Sequence, residues 1–166
     1  MHEKASRGHA DVIMLDLEDS VPIESKVEAR NLVIHSLLEK EWGNRTLTVR
    51  MNGIDTPFGY RDLLEVVEAA ADRINAIVVP KVDSPADIHF VSRMIDGIAR
   101  HLGVELAIGI EATIESAQGM ENVSEIAAAS PRMKTLVFGI ADYSASLGAR
   151  LVSLSGHGEN EEAIYP

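Results

Sequence analysis

Cysteine is absent from the 166 residues, which excludes a disulfide framework, thiol catalysis and Cys-ligated zinc. A thiol-free chain fits a cytoplasmic setting. Aromatics are scarce, with one Trp, three Tyr and three Phe, so Trp42, Phe58 and Tyr60 read as packing residues rather than a base-stacking platform. Positive charge is also short: Lys plus Arg number 15 against 26 Asp plus Glu, a formal net charge of −11. A general nucleic-acid binder wants a basic face, so no nucleic-acid partner is expected. No apolar run approaches the ~20 residues of a membrane span and the N-terminus carries no signal-peptide pattern, so no membrane partner is expected either. Neither G-x-G-x-x-G nor a Walker A sequence occurs. The six histidines (His2, His9, His35, His89, His101 and His157) form no H-x-x-x-H pair, which argues against zinc. His157, in Ser155-Gly-His-Gly-Glu159, reads as a solvated loop residue. No Ser/His/Asp order suggests a nucleophile elbow.

What is present is a regular alternation. Hydrophobic content of 46% against 25% charged residues is the profile of one globular domain. Asp11–Glu18, Thr46–Arg50, Ala76–Pro80, Leu106–Ile114 and Thr135–Ile140 read as strands, with helical patterns over 24–41, 58–71, 85–101 and 119–129 between them. Met1–Arg7 also reads as helix. Strand and helix recur roughly every 30 residues, the period of βαβ units and hence of a parallel sheet. Such sheets are open and doubly wound or closed into barrels. The missing Gly-rich turn disfavours the first. The second places polar groups at the C-terminal ends of several strands, as Glu18-Asp19, Arg50 with Asn52, Lys81, Glu115 and Asp142 do here.

A (β/α)₈ barrel takes ~250 residues, and this chain supplies about five of its eight strands. The expected architecture is therefore an incomplete TIM barrel, residues 1–166 forming a single partial domain with no second domain and no further strand–helix unit at Ala163–Pro166. Strand ends converge on one rim, so distant residues can share a site. Arg50, Glu115 and Asp142 stand out. Two carboxylates from different strands can hold a hard cation such as Mg²⁺ and leave room for water and substrate. A neighbouring guanidinium can grip a substrate carboxylate. Carboxylates paired with Arg for structure alone are the alternative. Asp16 and Glu18 share a strand face, and such a pair is costly unless paired, with Arg50 the natural partner; with Asp19 they orient that Arg, hold metal-bound water or form a solvated βα loop. Glu111, one layer deeper, reads as a structural hydrogen-bonding group. Gly139–Asp142 leads to a short helix with Ser144 and Ser146, whose N–H groups fit an anion or a plain cap.

Five motifs occur in order: Leu15-Asp-Leu-Glu-Asp-Ser-Val21, Val49-Arg-Met-Asn-Gly53, Val79-Pro-Lys-Val82, Ile114-Glu-Ser-Ala-Gln-Gly119 and Phe138-Gly-Ile-Ala-Asp142. Together they resemble the citrate lyase beta-subunit-like (HpcH/HpaI aldolase) family of Mg²⁺-dependent acyl-CoA lyases. Asn52–Pro57 and Ala141–Ser146 resemble its malyl-CoA/beta-methylmalyl-CoA lyase branch. The resemblance implies a (β/α)₈ barrel that assembles as a trimer or hexamer. It implies reversible cleavage of (S)-malyl-CoA, or a methylated homologue, to an acyl-CoA and glyoxylate. It implies Glu115 and Asp142 as Mg²⁺ ligands (with Mn²⁺ as a possible substitute), Arg50 as the catalytic group that binds the oxo acid and stabilises the enolate oxygen, and Lys4 as a CoA contact. The Ala141 backbone falls beside the bound oxo acid, and Glu18 and Asp19 lie behind the metal and Arg50. In similar enzymes the acid/base is an aspartate of a C-terminal domain, which nothing here matches, so these residues alone are expected to be inactive; they are also expected to be poorly folded, because an unclosed barrel exposes sheet edges and apolar surface. Citramalyl-CoA or citryl-CoA lyase, a CoA-independent class II aldolase, and a non-enzymatic fragment or partner subunit are the alternatives.

Overall fold

The computed structural model describes residues 2–149; the expectations on His157 and on Ala163–Pro166 fall outside them. Five strands, β1 (Val12–Asp16), β2 (Thr46–Arg50), β3 (Ala76–Val79), β4 (Gly109–Ile114) and β5 (Met133–Phe138), form one sheet. Every neighbouring pair is parallel and the spatial order is β1-β2-β3-β4-β5. A doubly wound sheet reverses its order at a switch point, and this one does not. The progression is that of a barrel wall.

The connecting helices are α2 (Lys26–Glu39), α3 (Gly59–Ala70) and α4 (Pro85–Leu102), followed by the pair α5 (Ala117–Glu121) and α6 (Val123–Ala128). A short α1 (His2–Ser6) precedes the sheet and α7 (Ile140–Ser146) follows it. α4 has the strongest terminal signals. Ser84 and Asp87 form a reciprocal capping box, Pro85 opens the first turn, and Gly103 closes the helix at φ 69°, where a residue without Cβ carries no steric penalty.

Several boundaries differ from the sequence reading. The fourth strand starts at Gly109 rather than Leu106. The expected single helix over 119–129 is two helices that meet at Asn122. β5 begins at Met133 and ends at Phe138, because Ile140 already belongs to α7. A register shift between Ile110 and Glu111 leaves Lys134 without a partner in β4. The glycine at 109 makes room for it, since a Cβ there would lie 2.6 Å from Lys134 Cγ. Helix α2 also breaks the simple apolar pattern: Val33 and Leu37 are buried, while Val27, Leu32 and Leu38 are exposed.

The core lies between the sheet and its helices. Ile13, Leu15, Leu47, Val49, Ile77, Val79, Ile110 and Ala112 pack against Val33, Leu37, Leu63, Val67, Ile88, Val91 and Ile95. Alternation sends the other strand positions to the opposite face. There Ala76 and Val78 are buried, whereas Val12 and Met14 are 56% and 49% exposed. That face carries the polar strand ends to the C-terminal rim.

Candidate active site

Strand β1 stops where its side chains become acidic. Asp16 folds back to accept from the backbone N–H groups of Glu18 and Ser20, which turns the chain away from the sheet and leaves Glu18 at the rim. Arg50 ends β2 in register with Asp16. Its Nε and Nη2 donate to the two Asp16 oxygens, both at 2.7 Å. Its Nη1 lies 3.1 Å from Glu18 Oε2 and 3.7 Å from Asp19 Oδ2. Burial alone would raise the Asp16 pKa, but the Arg50 hydrogen bonds override it and hold the carboxyl well below its usual range. Those same bonds hold Arg50 firmly protonated. The expected pairing of Arg50 with Asp16 and Glu18 is therefore present, and it has a consequence. The bidentate fork of Arg50 is already engaged by Asp16, so an incoming carboxylate meets only the Nη edge.

Glu115 follows β4 directly and is buried. Its Oε1 accepts from the Lys81 backbone N–H at 2.8 Å. Gly139, after β5, gives the carboxylate its space: a Cβ there would collide with Glu115 Oε2. Burial pushes the Glu115 pKa up, and the carboxylates of Glu18 and Asp142 push the same way. A carboxylate held in that state gains from an added cation. Asp142, in the first turn of α7, lines the same cavity of about 650 Å³. Asp55, Asp83 and Ser116 join them, with Ser116 Oγ hydrogen-bonded to Asp83. Among the described residues no three His, Asp or Glu side chains gather closely enough to hold an ion alone. An ion there would rest on two carboxylates and complete its shell with water and substrate, the habit of Mg²⁺. The donor set fits.

Lys81 joins the two halves of the rim. Its Nζ donates to Glu18 Oε1 at 2.7 Å and lies 3.7 Å from Asp142 Oδ2. Through Glu18, Arg50 is thus linked to the Glu115–Asp142 pair. Ala141 sits in the first turn of α7 beside Asp142. Lys4 stands apart, exposed on α1 and outside the lining of this cavity. Glu111, expected to hydrogen-bond, makes no such contact among the described residues, and burial raises its pKa. Sequence reasoning noted Lys81 as a polar strand end and within the Val79-Pro-Lys-Val82 motif, with no role assigned to it. The signal that marks it is conformational: among the described residues it is the one non-glycine with positive φ, at 51°.

Residues 1–160 match the family described as HpcH/HpaI aldolase/citrate lyase. The chain belongs to that family. An L-malyl-CoA/beta-methylmalyl-CoA lyase from Rhodobacter capsulatus is 44% identical over 163 residues, 98% of this chain and 51% of the relative. The family fold recurs in the crystal structure of RipC from Yersinia pestis, 31% identical with a TM-score of 0.70, covering 87% of this chain and 59% of that one. A malate synthase from Haloferax volcanii shares the fold alone, at 19% identity and a TM-score of 0.79, over 89% of this chain and 48% of that one. The chain spans about half the length of the curated relatives it matches. The α/β barrel-type architecture and membership of a carbon–carbon lyase family therefore agree with the sequence reading.

Proposed function

We propose that the intact protein is a Mg²⁺-dependent lyase of the malyl-CoA type, which reversibly cleaves (S)-malyl-CoA or beta-methylmalyl-CoA to acetyl-CoA or propionyl-CoA and glyoxylate. The observation that carries the reading is that buried Glu115 and Asp142 line one cavity and are linked through Lys81 and Glu18 to Arg50. The 44% identity to a lyase of that printed activity supports the substrate class.

Glu115 and Asp142 would hold Mg²⁺ or Mn²⁺. When bound, the ion supplies Lewis-acid polarisation of the oxo-acid oxygens. We assign the Nη edge of Arg50, which reaches that pair through Glu18 and Lys81, to support of the enolate oxygen as it develops. In cleavage, a base removes the proton of the 3-hydroxyl and the C–C bond breaks. Its electron pair passes to the acyl-CoA as an enolate, which is then protonated at carbon. Asp16, by engaging the Arg50 fork, fixes the guanidinium before substrate arrives, which lowers the ordering cost in the reaction. The Ala141 N–H, at the start of α7, lies beside the oxo acid, and Glu18 and Asp19 hold Arg50 and Lys81 in place. We assign Lys4 to the CoA portion and the acid/base to an aspartate beyond these 166 residues. The chain is one partial barrel domain of a cytoplasmic homo-oligomer, a trimer or hexamer, whose partners are the acyl-CoA and a small 2-oxo acid.

The test is to mix the intact protein with acetyl-CoA, glyoxylate and Mg²⁺ and detect malyl-CoA by mass spectrometry. Product lost with EDTA and in Glu115→Gln is the expected result. Product formed from pyruvate but not glyoxylate would move the assignment to citramalyl-CoA. Turnover of a free oxo acid with no acyl-CoA would make it a class II aldolase, and no turnover of any of these would leave a non-enzymatic partner or fragment.

A further inference from the structure

Lys81 carries a conformation that a lysine adopts only under constraint. At φ 51° its Cβ crowds the neighbouring carbonyl, and such geometry persists where the surroundings over-determine it. Here both ends of the residue are tied to carboxylates. The backbone N–H holds Glu115 Oε1 at 2.8 Å. The ammonium reaches Glu18 Oε1 at 2.7 Å, Asp142 Oδ2 at 3.7 Å and Asp19 Oδ1 at 3.9 Å. Among the described residues it is also the one cationic side chain lining a cavity that Asp55, Asp83, Asp87, Glu115 and Asp142 share. The side chain is 48% exposed, so it has room to move.

We propose that Lys81 is a tethered cation that competes with the divalent metal for Asp142 and so sets the metal affinity of the site. Without metal, the ammonium offsets part of the negative charge of the acidic rim. When metal binds, like charges repel and the ammonium swings fully onto Glu18 and Asp19, which already hold it. The backbone contribution works in the opposite direction, because the left-handed turn aims an N–H at Glu115 and keeps that carboxylate at the rim. A single residue thus presents one ligand and shields the other. This rests on the reading of Glu115 and Asp142 as the metal ligands.

The two contributions separate by substitution. Lys81→Met removes the charge, Lys81→Gly removes it while keeping the left-handed backbone free of strain, and Lys81→Arg keeps it. Mn²⁺ titrations of the intact protein, followed by electron paramagnetic resonance, read the affinity directly without turnover. The expected result is about tenfold tighter Mn²⁺ binding in Lys81→Met and Lys81→Gly, or ~1.4 kcal/mol, with Lys81→Arg matching wild type. Unchanged or weaker binding in both neutral variants, with wild-type binding still abolished by Glu115→Gln, would overturn this proposal and leave the metal site standing. No Mn²⁺ binding by wild type would overturn both.

Discussion

Asp62→Ala tests how the rim loop is held. Asp62 lies on α3 and is 1% exposed, facing Arg30 of α2, which is 2% exposed. Its Oδ1 accepts from Arg30 Nε at 2.7 Å. Its Oδ2 accepts from both the backbone N–H and the side-chain Nδ2 of Asn52, at 2.9 and 2.5 Å. Asn52 begins the loop that follows Arg50, and Gly59 seats α3 on that loop so closely that a Cβ there would strike Gly53 O. Among the described residues, removing Asp62 leaves the buried Arg30 with only Glu65, 36% exposed, as a charge partner. It also orphans two buried donors on Asn52. Breaking a buried pair on one side costs about 3–5 kcal/mol, which lowers the melting temperature of a domain this size by roughly 6–20 °C. The assay is urea denaturation of wild type, Asp62→Ala, Arg30→Met and the double variant. The double variant is expected to be more stable than the sum of the singles by about 2 kcal/mol or more, because it removes the stranded charge. A loss under 1 kcal/mol in Asp62→Ala, or strict additivity, would refute the claim that this pair anchors the loop.

Gly139→Ala is expected to keep the fold and abolish metal binding, since its methyl group displaces the Glu115 carboxylate; circular dichroism and a Mn²⁺ titration check the two halves. Glu115→Gln keeps an oxygen for the Lys81 N–H and removes a charge that burial and two neighbouring carboxylates oppose. It is expected to leave the melting temperature equal or higher while metal affinity falls at least tenfold, and a lower melting temperature would contradict the assigned electrostatics. Asp16 has a depressed pKa in the folded state, so its stabilisation is full above the usual carboxylate value near ~4 and is lost as pH falls below it. The stability gap between wild type and Arg50→Met, expected at about 1–2 kcal/mol near neutral pH, should shrink between pH 5 and pH 2, and a constant gap would sink the argument.

The alternation of strands and helices was legible along the chain because each element writes its own period: apolar runs at Ile77–Val79, three- and four-residue spacing at Leu63, Val66, Val67 and Ala70. The polar group closing each strand was legible for the same reason. Parallel strands in simple order bring their C-terminal ends to one rim, so Glu115 and Asp142 could be expected on the same rim from sequence alone, and both line one cavity. Boundaries were less legible where tertiary contacts override local preference, as in the bulge at Lys134 and the helix break at Asn122. Three matters belonged to the tertiary structure. The engagement of the Arg50 fork by Asp16 depends on β1–β2 register. The buried Arg30–Asp62–Asn52 network joins two helices to a loop, and no local pattern encodes it. The place of Lys81 between Glu18, Glu115 and Asp142 follows from a left-handed turn and from three strands converging. Spacing in sequence sets which side chains share a face; distances between charges, and hence which of them are neutralised, exist only once the sheet has assembled.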